Sequence, residues 1–124
     1  MTSHQPLFIQ IAEQIEDDIL SGVLAEDAQV SSTNEFAARL GINPATVGKG
    51  MRLLVEEGHL YKRRGVGMFV SPGAKAKVTA ERHDRFSHTY VAPLLSEALR
   101  LGISAEELAG MVTAEAAVAR EETP

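Results

Sequence analysis

The 124-residue chain contains no cysteine and no tryptophan, and only four phenylalanines and two tyrosines. Without thiols it has neither disulfides nor thiolate metal ligands, which fits a reducing compartment such as the cytoplasm. With so few aromatic side chains, a core must be built from Leu, Ile, Val, Met and Ala, and the hydrophobic content of 44% is sufficient for one. The length predicts one small domain, with or without an appendage.

The sequence also lacks the signals of export and of membrane insertion. The N-terminus has no positively charged segment followed by an apolar one, as a signal peptide would have. No apolar run approaches the ~18 residues that a membrane-spanning helix needs. We therefore expect a cytoplasmic protein with no membrane partner.

Positive charge is scarce overall but concentrated in one window. The net charge of −5 argues against a nucleic-acid partner when it is taken alone. Between residues 39 and 64, however, six cations face only two acids, Glu56 and Glu57, which leaves a local charge of 6 − 2 = +4. The cations are Arg39, Lys49, Arg52, Lys62, Arg63 and Arg64. A local basic patch of this kind is typical of a DNA-binding surface.

Two helices are predicted in the first 40 residues. Apolar residues recur at helical spacing through residues 7–21, which predicts an amphipathic first helix. A shorter helix is predicted over residues 33–40. Ser32 is suited to be its N-cap, and Glu35, three residues later, completes a capping box.

A third helix is predicted from Pro44 to about Glu57, with Asn43 as its N-cap. Its predicted outer face is small, polar and cationic, and consists of Ala45, Thr46, Lys49, Arg52 and Glu56. Two short helices joined by a glycine-containing turn form a helix-turn-helix, whose second helix can enter a major groove.

A β-hairpin is predicted directly after the third helix. Residues 59–64 and 68–70 form its strands, and Gly65 to Gly67 its turn. Three cations lie near the tip, where they could be simple solvated edge charges. Their place after a helix-turn-helix favours a wing that touches DNA. The predicted fold is therefore mainly α with a small β-hairpin, an N-terminal winged helix-turn-helix followed by a C-terminal helical pair.

The tail is predicted to mediate dimerisation. We place the domain boundary at Gly73, which gives a DNA-binding domain over residues 1–73 and a helical region over residues 74–124. Pro93 should kink or break the long helix predicted as far as residue 101. Two such helices cannot bury their apolar stripes alone, so a second copy is the simplest partner. The predicted dimerisation residues are Val78, Phe86, Tyr90, Leu94, Leu101, Leu108, Met111 and Val112.

Several segments occur in the order and spacing of the GntR family of bacterial transcription regulators, which the chain resembles over roughly residues 6–71. The matching segments are residues 6–12, 19–22, 36–42, 46–47 with Lys49, 56–58 and 64–70. The short tail and residues 42–47 resemble the YtrA subfamily, in which two helices after the winged helix mediate dimerisation. The resemblance implies a DNA-binding regulator that is not an enzyme, commonly a repressor and often of a transporter operon.

The resemblance also implies which residues face DNA. They are Ser32, Thr33, Arg39, Asn43, Thr46, Lys49, Arg52, Arg63, Arg64, Gly65 and Gly67. The chain departs from the family pattern at several positions. Val30 and Ser31 replace a common Leu-Pro, and Leu53 and Val55 are apolar where charges are usual. Asn34 and Gly48 replace common arginines, and Gly50 replaces a common alanine. Each glycine costs the third helix up to about 1 kcal/mol relative to alanine.

Two other classes of protein remain open. An enzyme could use paired acids such as Asp17–Asp18, Glu56–Glu57 or Glu106–Glu107, but their positions on polar helical faces or near helix ends favour solvated side chains. A protein-binding winged helix would suit the net negative charge, but the basic window argues against it.

A metal or effector sensor is the remaining alternative. His83, Asp84 and His88 lie within six residues, yet the spacing of the two histidines does not align them on a helix. We therefore predict no metal and no cofactor, and leave the effector open. His4 and His59 are interpreted as residues of the terminus and of a turn, with no functional role.

Overall fold

The structure, a computed structural model, describes residues 5–122. In this range the fold consists of six α-helices and one β-hairpin. In chain order the elements are α1 (Leu7–Ser21), α2 (Thr33–Leu40), α3 (Pro44–Glu56), β1 (Leu60–Arg63), β2 (Gly67–Val70), α4 (Ala74–Phe86), a π-helical turn (Ser87–Val91), α5 (Ala92–Arg100) and α6 (Ala105–Glu122). This confirms a mainly α fold with a small hairpin. No helix in this range has the length and apolarity to span a membrane. Two compact units are present, one through Arg82 and the other from His83.

The core of the first unit is aliphatic, as the composition predicts. Ile11, Ile15 and Ile19 form the buried stripe of α1. They belong to one cluster with buried residues of α2, α3 and the hairpin, among them Phe36 and Met51. The residues that recur at helical spacing in 7–21 are therefore buried, as predicted. The core to which they belong fixes the position of α3.

The predicted caps set the start of α2 and of α3. The Ser32 hydroxyl oxygen accepts a hydrogen bond from the backbone N–H of Glu35 at 3.1 Å. The Asn43 side-chain carbonyl accepts one from the N–H of Ala45 at 2.9 Å, and Pro44 occupies the first turn of α3. Each bond satisfies a donor that the helix itself leaves free.

The hairpin is antiparallel, and its register runs from Leu60 opposite Val70 to Arg63 opposite Gly67. A third segment, residues 28–30, pairs with the other edge of β2. The Val30 N–H donates to the Met68 carbonyl at 2.9 Å, and the Val70 N–H donates to the carbonyl of residue 28 at 3.0 Å. An isolated two-stranded hairpin is marginal in water, and this segment adds backbone hydrogen bonds to it.

The first unit extends beyond the predicted boundary. Helix α4 begins at Ala74, directly after Gly73, but the chain stays within the first unit until Arg82. Val78 is 0% exposed. The prediction that Val78 contributes to a dimer surface is therefore wrong, because its side chain is already buried within its own chain.

The second unit contains the π-helical turn, α5 and α6. The predicted break near Pro93 is present as the π-helical turn, in which the Ala92 N–H bonds to the Ser87 carbonyl. Leu108 of α6 is 8% exposed and so is largely buried within its own chain. The other six predicted dimerisation residues are exposed: Phe86, Tyr90, Leu94, Leu101, Met111 and Val112.

Candidate nucleic-acid interface

Helix α3 presents the outer face that its sequence predicts. Ala45, Lys49, Arg52 and Glu56 are exposed, and Thr46 is half-buried beside them. Gly48 lies on the same side, where an added Cβ would come 3.4 Å from an Arg52 guanidinium nitrogen. A small, cationic face on the second helix of the pair has the shape and charge to enter a major groove.

Aromatic rings, rather than carboxylates, support several of the cations. The Lys49 ammonium lies 4.1 Å from the centre of the Phe8 ring. The Arg39 guanidinium lies 5.0 Å from the centre of the Phe36 ring, and it donates a hydrogen bond to the Ser31 hydroxyl at 3.4 Å. Cation–π contacts position a charge without neutralising it.

All six cations of the basic window are exposed. Within residues 5–122, none of them forms an ion pair with a carboxylate, whereas Arg82 and Arg100 do. The charge of the window therefore remains available to phosphate groups. Each phosphate that a protein neutralises releases counterions, which is the main source of sequence-independent DNA affinity.

Two of the predicted polar contacts are exposed and one is not. Ser32 and Asn43 are exposed at the starts of α2 and α3, and each uses one oxygen as a cap. Their remaining donors, a hydroxyl hydrogen and an amide NH₂, are not consumed by the caps. Thr33 is half-buried, and its hydroxyl donates to the Met51 sulphur at 3.7 Å. Thr33 thus packs α2 on α3.

The wing has the two glycines where its backbone requires them. Gly65 has a φ of 76° and Gly67 a φ of 144°, both in a region that side chains disfavour. Arg64 is exposed between the strands, and Arg63 places its guanidinium 5.2 Å from the centre of the Phe69 ring. The tip is therefore narrow and positively charged, as a wing that touches a phosphate backbone must be.

Sequence reasoning missed the residue that braces the wing. The Gln29 amide NH₂ donates to the Val66 carbonyl at the tip, at 3.1 Å. A Cβ at Gly67 would lie 2.7 Å from that amide nitrogen, so the glycine also makes room for the brace. No local pattern marks Gln29, because its partner lies 37 residues further along the chain.

A second long-range contact supports the same hairpin. The Tyr61 hydroxyl donates to the Asp27 carboxylate at 2.8 Å, and this hydrogen bond raises the pKa of Tyr61. The Tyr61 and Phe69 rings stack with their centres 5.6 Å apart. Together these contacts tie the base of the wing to the loop before α2.

The predicted metal alternative is not assembled where the sequence suggested it. His83, Asp84 and His88 are exposed, and no metal-ligand cluster within residues 5–122 includes them. His59 lies in the predicted turn before β1, but its side chain is fully buried among carboxylates, a position that the sequence did not indicate. His4 lies outside the described residues.

These features define a class of protein. A helix-turn-helix with a cationic second helix, followed by a glycine-tipped basic hairpin, is a winged helix of the kind that transcription regulators use. Residues 8–70 match the model of the bacterial regulatory proteins of the gntR family. The match covers just over half of the chain, and the chain belongs to this family.

Relatives of two lengths match the chain. The HTH-type regulator YurK of Bacillus subtilis is 39% identical over 79 residues, which are 63% of this chain but only 33% of YurK. The chain therefore spans about a third of that relative. The HTH-type transcriptional repressor YtrA of the same species is 27% identical over 106 residues, which cover 86% of this chain and 81% of YtrA.

Solved structures agree with this assignment. A GntR-family regulator from Bacteroides thetaiotaomicron has a TM-score of 0.74 and 31% identity, and covers 94% of this chain and 100% of its own. The DNA-binding domain of AraR, solved in complex with operator ORR3, has a TM-score of 0.53 and 30% identity over 56% of this chain and 83% of its own. The first of these likenesses extends through the tail, and the second is confined to about half of the chain.

Proposed function

We propose that this chain is a homodimeric transcriptional repressor that acts in the cytoplasm by binding a palindromic operator. The observation that carries the proposal is the set of six exposed cations on α2, α3 and the wing, none of which has a carboxylate partner within residues 5–122. The similarity to the repressor YtrA over most of both chains supports the direction of regulation. Transporter operons, which the YtrA-like resemblance implies, are the first promoters to examine.

The proposed roles differ along this surface. The face of α3 that contains Thr46, Lys49 and Arg52 enters the major groove. Arg39, Ser32 and the capping end of α3 hold phosphates beside it. Arg63 and Arg64 contact the backbone or the minor groove from the wing, where Gly65 and Gly67 allow a close approach. Phosphate contacts set the register, and the α3 face reads the bases.

The second unit supports the homodimer. In α5 and α6 only Ala98 and Leu108 are buried. Leu99 of α5 is 79% exposed, and Tyr90 of the π-helical turn is 65% exposed. A monomer rarely exposes so many large apolar side chains on one short segment. A second copy is the occupant we propose, because two-fold homodimers are the commonest oligomers. Two recognition helices then reach half-sites about 10 base pairs apart.

The DNA-binding part is tested by selecting genomic fragments with the purified full chain at two salt concentrations. We expect enrichment of one palindromic site and an affinity that falls steeply with salt. Arg64→Glu should weaken binding about tenfold or more, because one charge-assisted hydrogen bond contributes roughly 1.5–3 kcal/mol. Because each protomer of the dimer loses one phosphate contact, the log–log salt slope should be smaller by about 1.8.

The matched control is Lys75→Glu, which makes the same charge change at an exposed position of α4 outside the basic window. It should leave operator affinity within about threefold of wild type. If no site is enriched, or if both variants lose affinity equally, the proposed surface is wrong and a protein-binding winged helix becomes the better explanation.

The dimer is tested separately by analytical ultracentrifugation of the full chain. Wild type should sediment as a dimer at micromolar concentration. Leu94→Asp, which places a charge on an exposed apolar position of α5, should shift it to monomer. Wild type that stays monomeric, or a variant that remains a dimer, would contradict the proposed role of the tail.

A further inference from the structure

Four side chains outside the DNA surface converge in the first unit. They are Glu16 of α1, Glu57 at the end of α3, His59 before β1, and Glu81 of α4, and we call them the His59 cluster. One possible ligand atom from each lies within 4.8 Å of all the others. His59 is 0% exposed and Glu16 is 4% exposed, while the other two carboxylates are partly exposed. The cluster is therefore buried on one side and accessible to a small ion on the other.

The His59 cluster has more hydrogen-bond acceptors than N–H donors. The His59 Nε2 lies 2.8 Å from a Glu81 oxygen, 3.5 Å from a Glu57 oxygen and 3.7 Å from Glu16 Oε2. A single Nε2–H can serve one of them, and Glu81 is at hydrogen-bond distance. Within residues 5–122, the buried His59 Nδ1 has no hydrogen-bond partner. Glu16, which is 4% exposed, directs its Oε2 at the same His59 Nε2 that Glu81 already engages, and a cation between them would satisfy both carboxylates.

The net charge around the His59 cluster also favours a bound cation. Arg82 is shared between Glu16, at 3.3 Å, and Asp17. Lys77 is a second nearby cation, and it donates to the backbone carbonyl of Glu57. Three cluster carboxylates and Asp17 against these two cations give −4 + 2 = −2 with a neutral imidazole. Burial raises the pKa of Glu16, and the hydrogen bond from Arg82 opposes this shift.

The spacing suits a metal ion. Four ligands at 2.0–2.2 Å in a tetrahedron stand about 3.4 Å apart. The distances from His59 Nε2 to Glu57 and Glu16 are 3.5 and 3.7 Å, and the partly exposed Glu81, at 2.8 Å, must retreat by about 0.6 Å. All four ligand atoms lie within 4.8 Å of one another, so closure around one ion needs only small side-chain movements. We propose that the His59 cluster binds one divalent first-row transition-metal ion, of which Zn²⁺ is the representative. The imidazole ligand favours such an ion over Mg²⁺ or Ca²⁺, which prefer all-oxygen sites.

An ion at this position would connect four elements. Its ligands come from α1, the C-terminal end of α3, the residue before β1, and α4. The ion therefore fastens α4 to the winged helix and stabilises the folded state, because the unfolded chain holds no such arrangement. The site is independent of the operator and of the dimer, so it can be tested without either.

The experiment uses the tag-free full chain after treatment with a chelator. Titration with Co²⁺, followed by visible absorption, and with Zn²⁺, followed by calorimetry, should give one ion per chain and a rise in Tm. Glu81→Gln and Glu57→Gln, whose side chains are at the accessible edge, should each weaken binding at least about tenfold. The control His83→Ala/His88→Ala removes the two exposed tail histidines and should bind as wild type does.

Three outcomes would overturn the proposal. The first is the absence of binding to a chain whose circular dichroism is that of a folded protein. The second is binding that is lost in the His83→Ala/His88→Ala control but kept in both glutamine variants. The third is displacement of Co²⁺ by an equal concentration of Mg²⁺, which would identify a nonselective acidic surface.

Discussion

Alanine substitutions at the two glycines of α3 should change the free energy of unfolding in opposite directions. In an exposed helix interior, alanine is about 1 kcal/mol more favourable than glycine. At Gly48 the added Cβ would make ordinary contacts, 3.4 Å to Arg52 and 3.9 Å to Thr33. Gly48→Ala should therefore raise the free energy of unfolding by up to about 1 kcal/mol.

At Gly50 the same change meets the backbone of α1. Its added Cβ would lie 2.7 Å from the Phe8 carbonyl oxygen and 3.3 Å from an Ile11 methyl carbon. A backbone carbonyl of a packed helix cannot swing aside as a side chain can, so α1 and α3 must separate. Overpacking of this kind costs about 1–3 kcal/mol, which outweighs the gain in helix propensity. Gly50→Ala should lower the free energy of unfolding by up to about 2 kcal/mol.

Urea denaturation followed by circular dichroism measures both changes. The variants and wild type must be compared at one chain concentration, because the stability of a dimer depends on it. The gain in helix propensity is common to both variants, so the expected difference between them is the overpacking cost of about 1–3 kcal/mol. If both alanines stabilised the chain equally, the close approach of α3 to α1 at Gly50 would not exist as described.

Three further predictions concern the wing, α4 and Tyr61. Gln29→Ala should weaken operator binding measured by fluorescence anisotropy, because the wing loses its brace, while stability falls by no more than about 1.5 kcal/mol; unchanged affinity would contradict the role of Gln29. Val78→Ala should lower the free energy of unfolding by about 2 kcal/mol and leave the sedimentation of the proposed dimer unchanged. Dissociation of the dimer without loss of stability would instead place Val78 on the dimer surface. In a Tyr90→Phe background, where Tyr61 is the one remaining tyrosine, Asp27→Ala should shift ultraviolet-detected ionisation to lower pH, because the acceptor that raises the pKa of Tyr61 is lost. The absence of a shift would mean that the hydrogen bond is absent in solution.

Features fixed by neighbours in the sequence could be predicted. The stripe of Ile11, Ile15 and Ile19 follows from helical periodicity, and the caps at Ser32 and Asn43 follow from the residues that come next. The exposed cations of α3 follow from the same periodicity. Each of these features depends on contacts within about four residues.

Features that depend on distant contacts could not be predicted. Gln29 reaches the wing across 37 residues, and Arg82 reaches α1 across 65 or more. The contacts of Arg82 hold α4 against α1, which is why the first unit continues past Gly73. Nor could Val78 be separated from the tail stripe, because its spacing fits that stripe as well as it fits the core. The operator bases, which depend on a second molecule, cannot be derived from one chain.

The third segment beside the hairpin, residues 28–30, also affects how DNA binding responds to partial unfolding. The wing receives its order from the loop before α2, through backbone bonds and the Gln29 amide. Local opening of that loop would release the wing tip while α3 stays in place, so phosphate contacts would be lost before base contacts. Operator affinity at high temperature should then decline in two stages, the earlier one reporting the departure of the wing.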